Sequence, residues 1–292
     1  MKGIAPWVQD HWDWRAAGNF ILGGTGTGLL FFAALALAEG VPMLVTGVLS
    51  VVLVSAGLSL VWTELGRPWR FINVFFHPHT SWMTRESIVG MPLVVVALAA
   101  AWFQRVDLAG LAALLGLCFL YCQARMLQAA KGIPAWREPP AVLLMVITGL
   151  TEGEGLFLLV APALEVRTGV IAHLGGPSLL VLIVLRMWVW AAYRQRLEDG
   201  RAPMAALAVL REMNPWLTAL GHVVPVLLIC MGFLFPQGAV LFFALAGLCA
   251  LGGGWYLKFS LVTRAAYNQG FALAHTPARG GKSGPGTAPG WR

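Results

Sequence analysis

The chain has 292 residues, 58% of them hydrophobic and 11% charged, with a mean hydropathy of +0.74. A soluble domain carries about a quarter charged residues, so this composition excludes one and makes lipid the solvent. The formal net charge of +7 suits an anionic lipid surface or an acidic partner and does not require nucleic acid.

Stretches of about 20 apolar residues, enough to cross about 30 Å of hydrocarbon, recur eight times. In chain order they run over approximately 17–38, 42–63, 87–104, 108–130, 139–161, 176–195, 215–235 and 238–262. The expected fold is an all-α integral membrane protein. Residues 1–275 form one bundle of eight transmembrane helices, grouped as two sets of four, and the Gly- and Pro-rich residues 276–292 form a disordered tail.

The first span lacks a basic run followed by a small-residue cleavage site, and polar Asn19 and Thr25 interrupt it, so it reads as retained. Trp7, Trp12 and Trp14 precede it and fit an interfacial aromatic belt. Its Gly23-Gly24-Thr25-Gly26-Thr27-Gly28 run is no phosphate loop, because no strand precedes it and no Gly-Lys-Ser/Thr follows. Gly24 and Gly28, at i and i+4, are expected to let another helix approach closely, with a headgroup pocket at Thr25 and Thr27 as the alternative.

Between the second and third spans stand Glu64-Leu65-Gly66-Arg67-Pro68 and then Ser81-Trp82-Met83-Thr84-Arg85-Glu86. Ionisable groups at the margin of a hydrocarbon layer are costly unless paired or used, so this edge is the expected functional site. In the fourth span Tyr121, Arg125 and Gln128 share a face near the same edge, where Arg125 either joins the site or snorkels to the interface.

Deeper in the layer, the fifth span carries Glu152 and Glu154, and the sixth carries Arg186 near mid-depth. Two residues apart on a helix, the glutamates point about 200° from one another and should not share a partner. Either one glutamate forms a buried ion pair with Arg186, or Glu152, Glu154 and Arg186 belong to a proton path.

Cys118, Cys122, Cys230 and Cys249 lie inside apolar spans without a Cys-x-x-Cys, which argues against an iron-sulfur cluster in this chain. His11, His77, His79 and His275 fall in loops or ends, and His173 and His222 at or near span edges. A chain without haem and without a bound metal is expected, since intramembrane haem is commonly held by facing histidines. Fifteen of the 20 basic residues fall in the connections and termini of one side, against Arg105 and Arg167 on the other. Cytoplasmic loops carry the excess, so both termini and the Glu64 to Glu86 loop are expected in the cytoplasm.

The Leu65-Gly66-Arg67-Pro68 turn, the Ser81-Trp82-Met83-Thr84-Arg85-Glu86 start of the third span and the total of eight spans resemble the polysulfide reductase and dimethyl sulfoxide reductase membrane anchors, often called NrfD-like. The resemblance implies a quinone-binding subunit in a bacterial or archaeal inner membrane. An iron-sulfur subunit with four ferredoxin-like clusters and a molybdopterin catalytic subunit would dock on its cytoplasmic face. The dimethyl sulfoxide reductase anchors commonly place a His before the Leu-Gly turn, where this chain has Glu64; Glu86 matches the family's acidic residue. The stretch from Lys258 to Leu273, with Ala278-Arg279-Gly280 beyond it, is similar to the membrane subunit of phenylacetyl-CoA:acceptor oxidoreductase, which implies phenylacetyl-CoA as the complex's substrate.

On this reading a ubiquinone or menaquinone headgroup enters between the first four helices. Arg67 or Arg85 polarises a carbonyl oxygen, Glu64 and Glu86 exchange protons, and Trp82, Tyr121 and Arg125 complete the headgroup site. The rivals are a transporter or ion-translocating subunit built on Glu152, Glu154 and Arg186, and a purely structural anchor.

Overall fold

The computed structural model describes residues 5–64, 67–200 and 202–270, so Leu65-Gly66 of the turn and the tail at 276–292 lie outside the described residues. Among these residues the protein is all-helical, with no strand beyond one isolated bridge between Val8 and Tyr267. Eight helices are long and apolar enough to cross a membrane: α1 (Trp14–Ala38), α2 (Leu44–Glu64), α3 (Trp82–Phe103), α4 (Val106–Ala129), α5 (Pro139–Val160), α6 (Thr168–Asp199), α7 (Met204–Leu234) and α8 (Pro236–Arg264).

Local signals set the helix ends. The Asp13 carboxylate accepts from the Arg15 N–H at 2.7 Å and caps α1, while the Ser81 hydroxyl accepts from the Thr84 N–H at 3.3 Å and caps α3. Gln104 adopts a left-handed φ of 52° to end α3, and its side-chain oxygen accepts from the Met43 N–H, tying the turn after α1 to the turn after α3. A 3-10 helix over Pro68–Phe75 bridges α2 and α3, and it exposes Trp69, Phe71 and Ile72.

α1 packs against α2, α4, α5 and α8 and is the most enclosed of the eight helices. Its glycines explain how. A Cβ on Gly28 would collide with the Gly149 carbonyl, and one on Gly153 would land on the Gly28 backbone, so the expected close approach is between α1 and α5. α5 in turn meets α8 where Gly155 and Gly247 face one another.

The sixth and seventh helices start earlier than their apolar stretches suggest. α7 runs through Arg211, Glu212 and Asn214, because a helix end outside hydrocarbon tolerates polar residues and can project beyond it. π-turns over Ile171–Gly175 and Ala219–Val223 interrupt α6 and α7, and one over Ser260–Arg264 ends α8. At the edge where the two ends of the described chain meet, Gln9 N–H donates to Ala266 O at 3.0 Å and Asn268 N–H to Trp7 O at 3.0 Å. Trp12 is packed here, stacked on Trp136 at 4.9 Å, while Trp14 is exposed.

Candidate functional site

Between α1, α2, α3 and α4 at this terminal edge lies a cleft of about 30 Å³, room for about two waters. Trp12, Asn19, Phe20, Glu64, Met83 and Met126 are among its lining residues. Glu64, the last residue of α2, is held 3.7 Å from Arg15 Nε, and its Oε1 makes no hydrogen bond. Arg15 also pairs with Asp13 at 2.9 Å and donates to Thr63 O at 3.3 Å, so it links the starts of α1 and the end of α2. That guanidinium holds the Asp13 carboxyl below the usual carboxylate range.

Glu86 sits one turn beyond Met83 on the same face of α3. It is 2% exposed, beside the side chains of Asn19 and Gln123. Its Oε1, together with Asn19 Oδ1 and Gln123 Oε1, finds no hydrogen-bond donor. With three such oxygens in one buried place, a proton on Glu86 or a turn of either amide supplies the donor they lack. Gln123 does donate from Nε2 to the Asn19 backbone oxygen at 3.2 Å, which fixes its amide between α1 and α4.

The remaining edge residues assemble elsewhere. Arg85 and Arg125 place their guanidinium carbons 4.1 and 4.6 Å from the Trp82 ring centroid, and Arg125 donates to the Tyr121 hydroxyl at 2.7 Å. Trp82 meets Tyr121 edge-on at 5.8 Å. Arg125 therefore joins a cluster instead of only snorkelling, but none of these four residues lines the cleft. Arg67 is exposed at the start of the 3-10 helix.

A second polar region lies deep in the bundle. Glu152, about 13 residues and so roughly 20 Å into α5, pairs with Lys258 at 2.6 Å, and both are fully buried. Thr25 donates to the same carboxylate at 3.1 Å and accepts from Trp255 Nε1 at 3.0 Å. Lys258 also donates to Phe20 O at 2.9 Å. Gly24 and Gly254 make room: a Cβ on the first would strike the Lys258 ammonium, and one on the second would sit 2.7 Å from Glu152 Oε1.

The expected ion pair of a glutamate with Arg186 is thus corrected: the cation bonded to Glu152 is Lys258, with Arg186 in electrostatic reach. Arg186 instead donates from Nε to His222 Nε2 at 3.3 Å, from Nη1 to Ala250 O at 3.1 Å and from Nη2 to Gly221 O. Pro225 explains the last bond. It has no N–H to offer the carbonyl four residues earlier, so the guanidinium replaces the missing helical donor. His222 is corrected too: it is 1% exposed inside α7 and not at a span edge, because the helix begins well before its apolar stretch.

Glu154 points away from Glu152, as its spacing requires, and accepts from the Ser178 hydroxyl at 2.9 Å. Its Oε2 has no partner. The deep residues thus form two bonded groups, Glu152 with Lys258 and Arg186 with His222, coupled by the charge of Arg186 on Glu152, while Glu154 is bonded separately to Ser178 on α6.

Sequence reasoning missed Arg15, Gln123, Lys258 and His222 as members of these clusters. Their residue types were visible, but their partners lie on other helices. No family model matches the chain, and no curated protein matches it.

Proposed function

We propose that this chain is the quinone-handling membrane subunit of a multi-subunit oxidoreductase, and that its headgroup site is the cleft between α1, α2, α3 and α4. The observation that carries the reading is a buried carboxyl, Glu86, flanked by Asn19 and Gln123 with one oxygen left without a hydrogen bond, directly behind a cleft that Glu64 and Asn19 line. A buried carboxyl with no cation bonded to it and one oxygen unpartnered is costly in a structural role and useful in a proton-transfer role.

The chemistry of the donor set suits a carbonyl-bearing ring, since Asn19 and Gln123 offer amide groups and two carboxyls can carry protons. The cleft in its present form takes water. Met83 and Met126 line it, and unbranched thioether side chains repack easily around a flat ring. A bound quinone supplies two-electron, two-proton redox chemistry. Glu86 holds a proton beside the ring oxygen, Asn19 orients that oxygen, and Glu64, steadied by Arg15, exchanges protons with water at the edge. Trp12 and Phe20 line the cleft with aromatic surface, Trp12 at the edge and Phe20 deeper along α1.

The sequence resemblance and the excess of basic residues on the terminal side support a cytoplasmic position for this edge, in a bacterial or archaeal inner membrane. An iron-sulfur subunit and a molybdopterin subunit dock there, with phenylacetyl-CoA as the proposed electron source. The experiment is to purify the chain with its native partners under mild detergent. The reading requires iron-sulfur and molybdenum signals in the same particle and block of turnover by a quinone-site inhibitor. A chain that purifies alone, with no redox centre attached in any gentle preparation, contradicts it.

One observation favours a second activity in the same subunit. The fully buried Glu152, Lys258 and Arg186, with His222 and the unpaired Glu154 oxygen, form the kind of intramembrane ionisable set that proton-conducting proteins carry. Proteoliposomes with a trapped pH dye test this: flux lost in Lys258→Met supports conduction, and identical flux in empty vesicles dismisses it.

A further inference from the structure

The guanidinium groups of Arg85 and Arg125 lie against one indole, at the first turn of α3 and the last two turns of α4. Neither forms an ion pair with a carboxylate among the described residues. Arg85 satisfies part of its fork on the Pro78 and His79 carbonyls, at 2.7 and 3.0 Å, which pins it in place. Arg125 spends one donor on the Tyr121 hydroxyl, and its Nε is buried without a partner. Because that hydroxyl accepts from Arg125, its own proton is left to donate outward. Two like charges sharing one ring repel, and the arrangement lacks the anion that would relieve them.

The surroundings say what that anion is attached to. Leading away from the cluster along α3, Ile88, Met91 and Val95 are exposed. Along α4, Leu114 and Leu111 are exposed, and Cys118 with them. On each helix these residues follow the three- and four-residue spacing of a single face, so two apolar rows converge on the guanidinium pair. A row of that kind is made for acyl chains, and the bilayer margin at its end is where phosphate groups lie.

We infer that Trp82, Arg85, Tyr121 and Arg125 form a binding site for the phosphate of an anionic phospholipid, whose acyl chains lie along the exposed rows of α3 and α4. Arg85 and Arg125 donate to the phosphate oxygens, the Tyr121 hydroxyl adds a third donor, and Trp82 holds both guanidinium planes ready. Arginine suits this role because its planar fork matches phosphate and stacks on indole. The inference is independent of the redox reading: it gives these four residues a lipid headgroup and leaves Glu64, Asn19 and Glu86 to the quinone.

The test is native mass spectrometry of the full chain released from micelles containing equal amounts of a phosphatidylglycerol and a phosphatidylcholine with the same acyl chains. Wild type should retain phosphatidylglycerol over phosphatidylcholine by about tenfold or more, given the contribution of each basic residue at an anionic surface. The Arg85→Gln/Arg125→Gln double variant should retain the two lipids equally, and millimolar inorganic phosphate should leave the wild-type preference standing. Equal retention by wild type overturns the inference, as does an unchanged preference in a folded double variant. Full displacement by inorganic phosphate also overturns it, because the site would then bind a free anion. If the double variant fails to fold, Tyr121→Phe, which removes only one outward donor, decides instead: the preference must fall, and an undiminished preference counts against the site.

Discussion

Glu86 and Glu152 are both carboxyls shut inside a helix bundle, yet they are surrounded in opposite ways. Glu152 is bonded by Lys258 and Thr25, with Arg186 close by and glycines cleared around it. Glu86 has amide groups for neighbours, no cation bonded to it and one oxygen without any donor. The contrast separates a charge that the fold is built around from a group held in reserve for something that comes and goes. Removing one partner from a buried pair strands the other, whereas removing an unpartnered oxygen strands nothing.

The largest expected effect follows at the deep site. Glu152→Gln leaves Lys258 and Arg186 without their anion and should destabilise the protein by about 3–5 kcal/mol, read as a loss of melting temperature in detergent. Glu152→Gln/Lys258→Met should recover part of that loss, because it removes the stranded ammonium as well. Additive losses in the double variant would show that the two side chains are not coupled.

Gly153→Ala sharpens the comparison from the packing side. Its new Cβ meets the Gly28 backbone, which cannot rotate aside, so α1 and α5 must part at a cost of about 1–3 kcal/mol. The same substitution at Gly110, whose Cβ meets nothing, should leave the melting temperature unchanged or slightly raised. A Gly153→Ala protein as stable as wild type would mean that the two helices are not in backbone contact.

At the edge the effects shrink. Asp13→Ala removes the cap of α1 and one partner of Arg15, for about 1 kcal/mol. The pH dependence has a definite sign. The folded-state pKa of Asp13 lies below its ordinary value because Arg15 sits beside it. Its contribution is therefore present above the ordinary carboxylate range and is lost as pH falls through the lowered folded value. Acid melting curves of wild type and Asp13→Ala should converge at the low end; a constant gap would refute the pairing.

Much of this arrangement is legible in the residues. Apolar length located all eight helices, and the i, i+4 glycines of α1 foretold a close neighbour. The two-residue spacing of Glu152 and Glu154 foretold their separate partners. Helical spacing also separates the edge residues: Met83 and Glu86 share a face three residues apart, while Trp82 and Arg85 share the next one. The edge residues therefore divide into an inward and an outward set. What the chain does not disclose is which helix supplies a partner. Lys258 looks like a residue at the end of the last span, and only the meeting of α1, α5 and α8 at their glycines brings it to Glu152. His222 falls near the edge of the apolar stretch that begins at residue 215, although the helix itself begins at Met204 and projects beyond that stretch.

The central claim is that the Glu86 carboxyl serves proton exchange with a lipid-soluble redox carrier. The most direct measurement compares wild type and Glu86→Gln in the native assembly, with quinone as acceptor and with a soluble dye as acceptor. The account predicts quinone-linked turnover lowered by about 10²–10⁴-fold, dye-linked turnover unchanged, and a melting temperature within a few degrees of wild type. Quinone-linked turnover equal to wild type in the folded variant would contradict it.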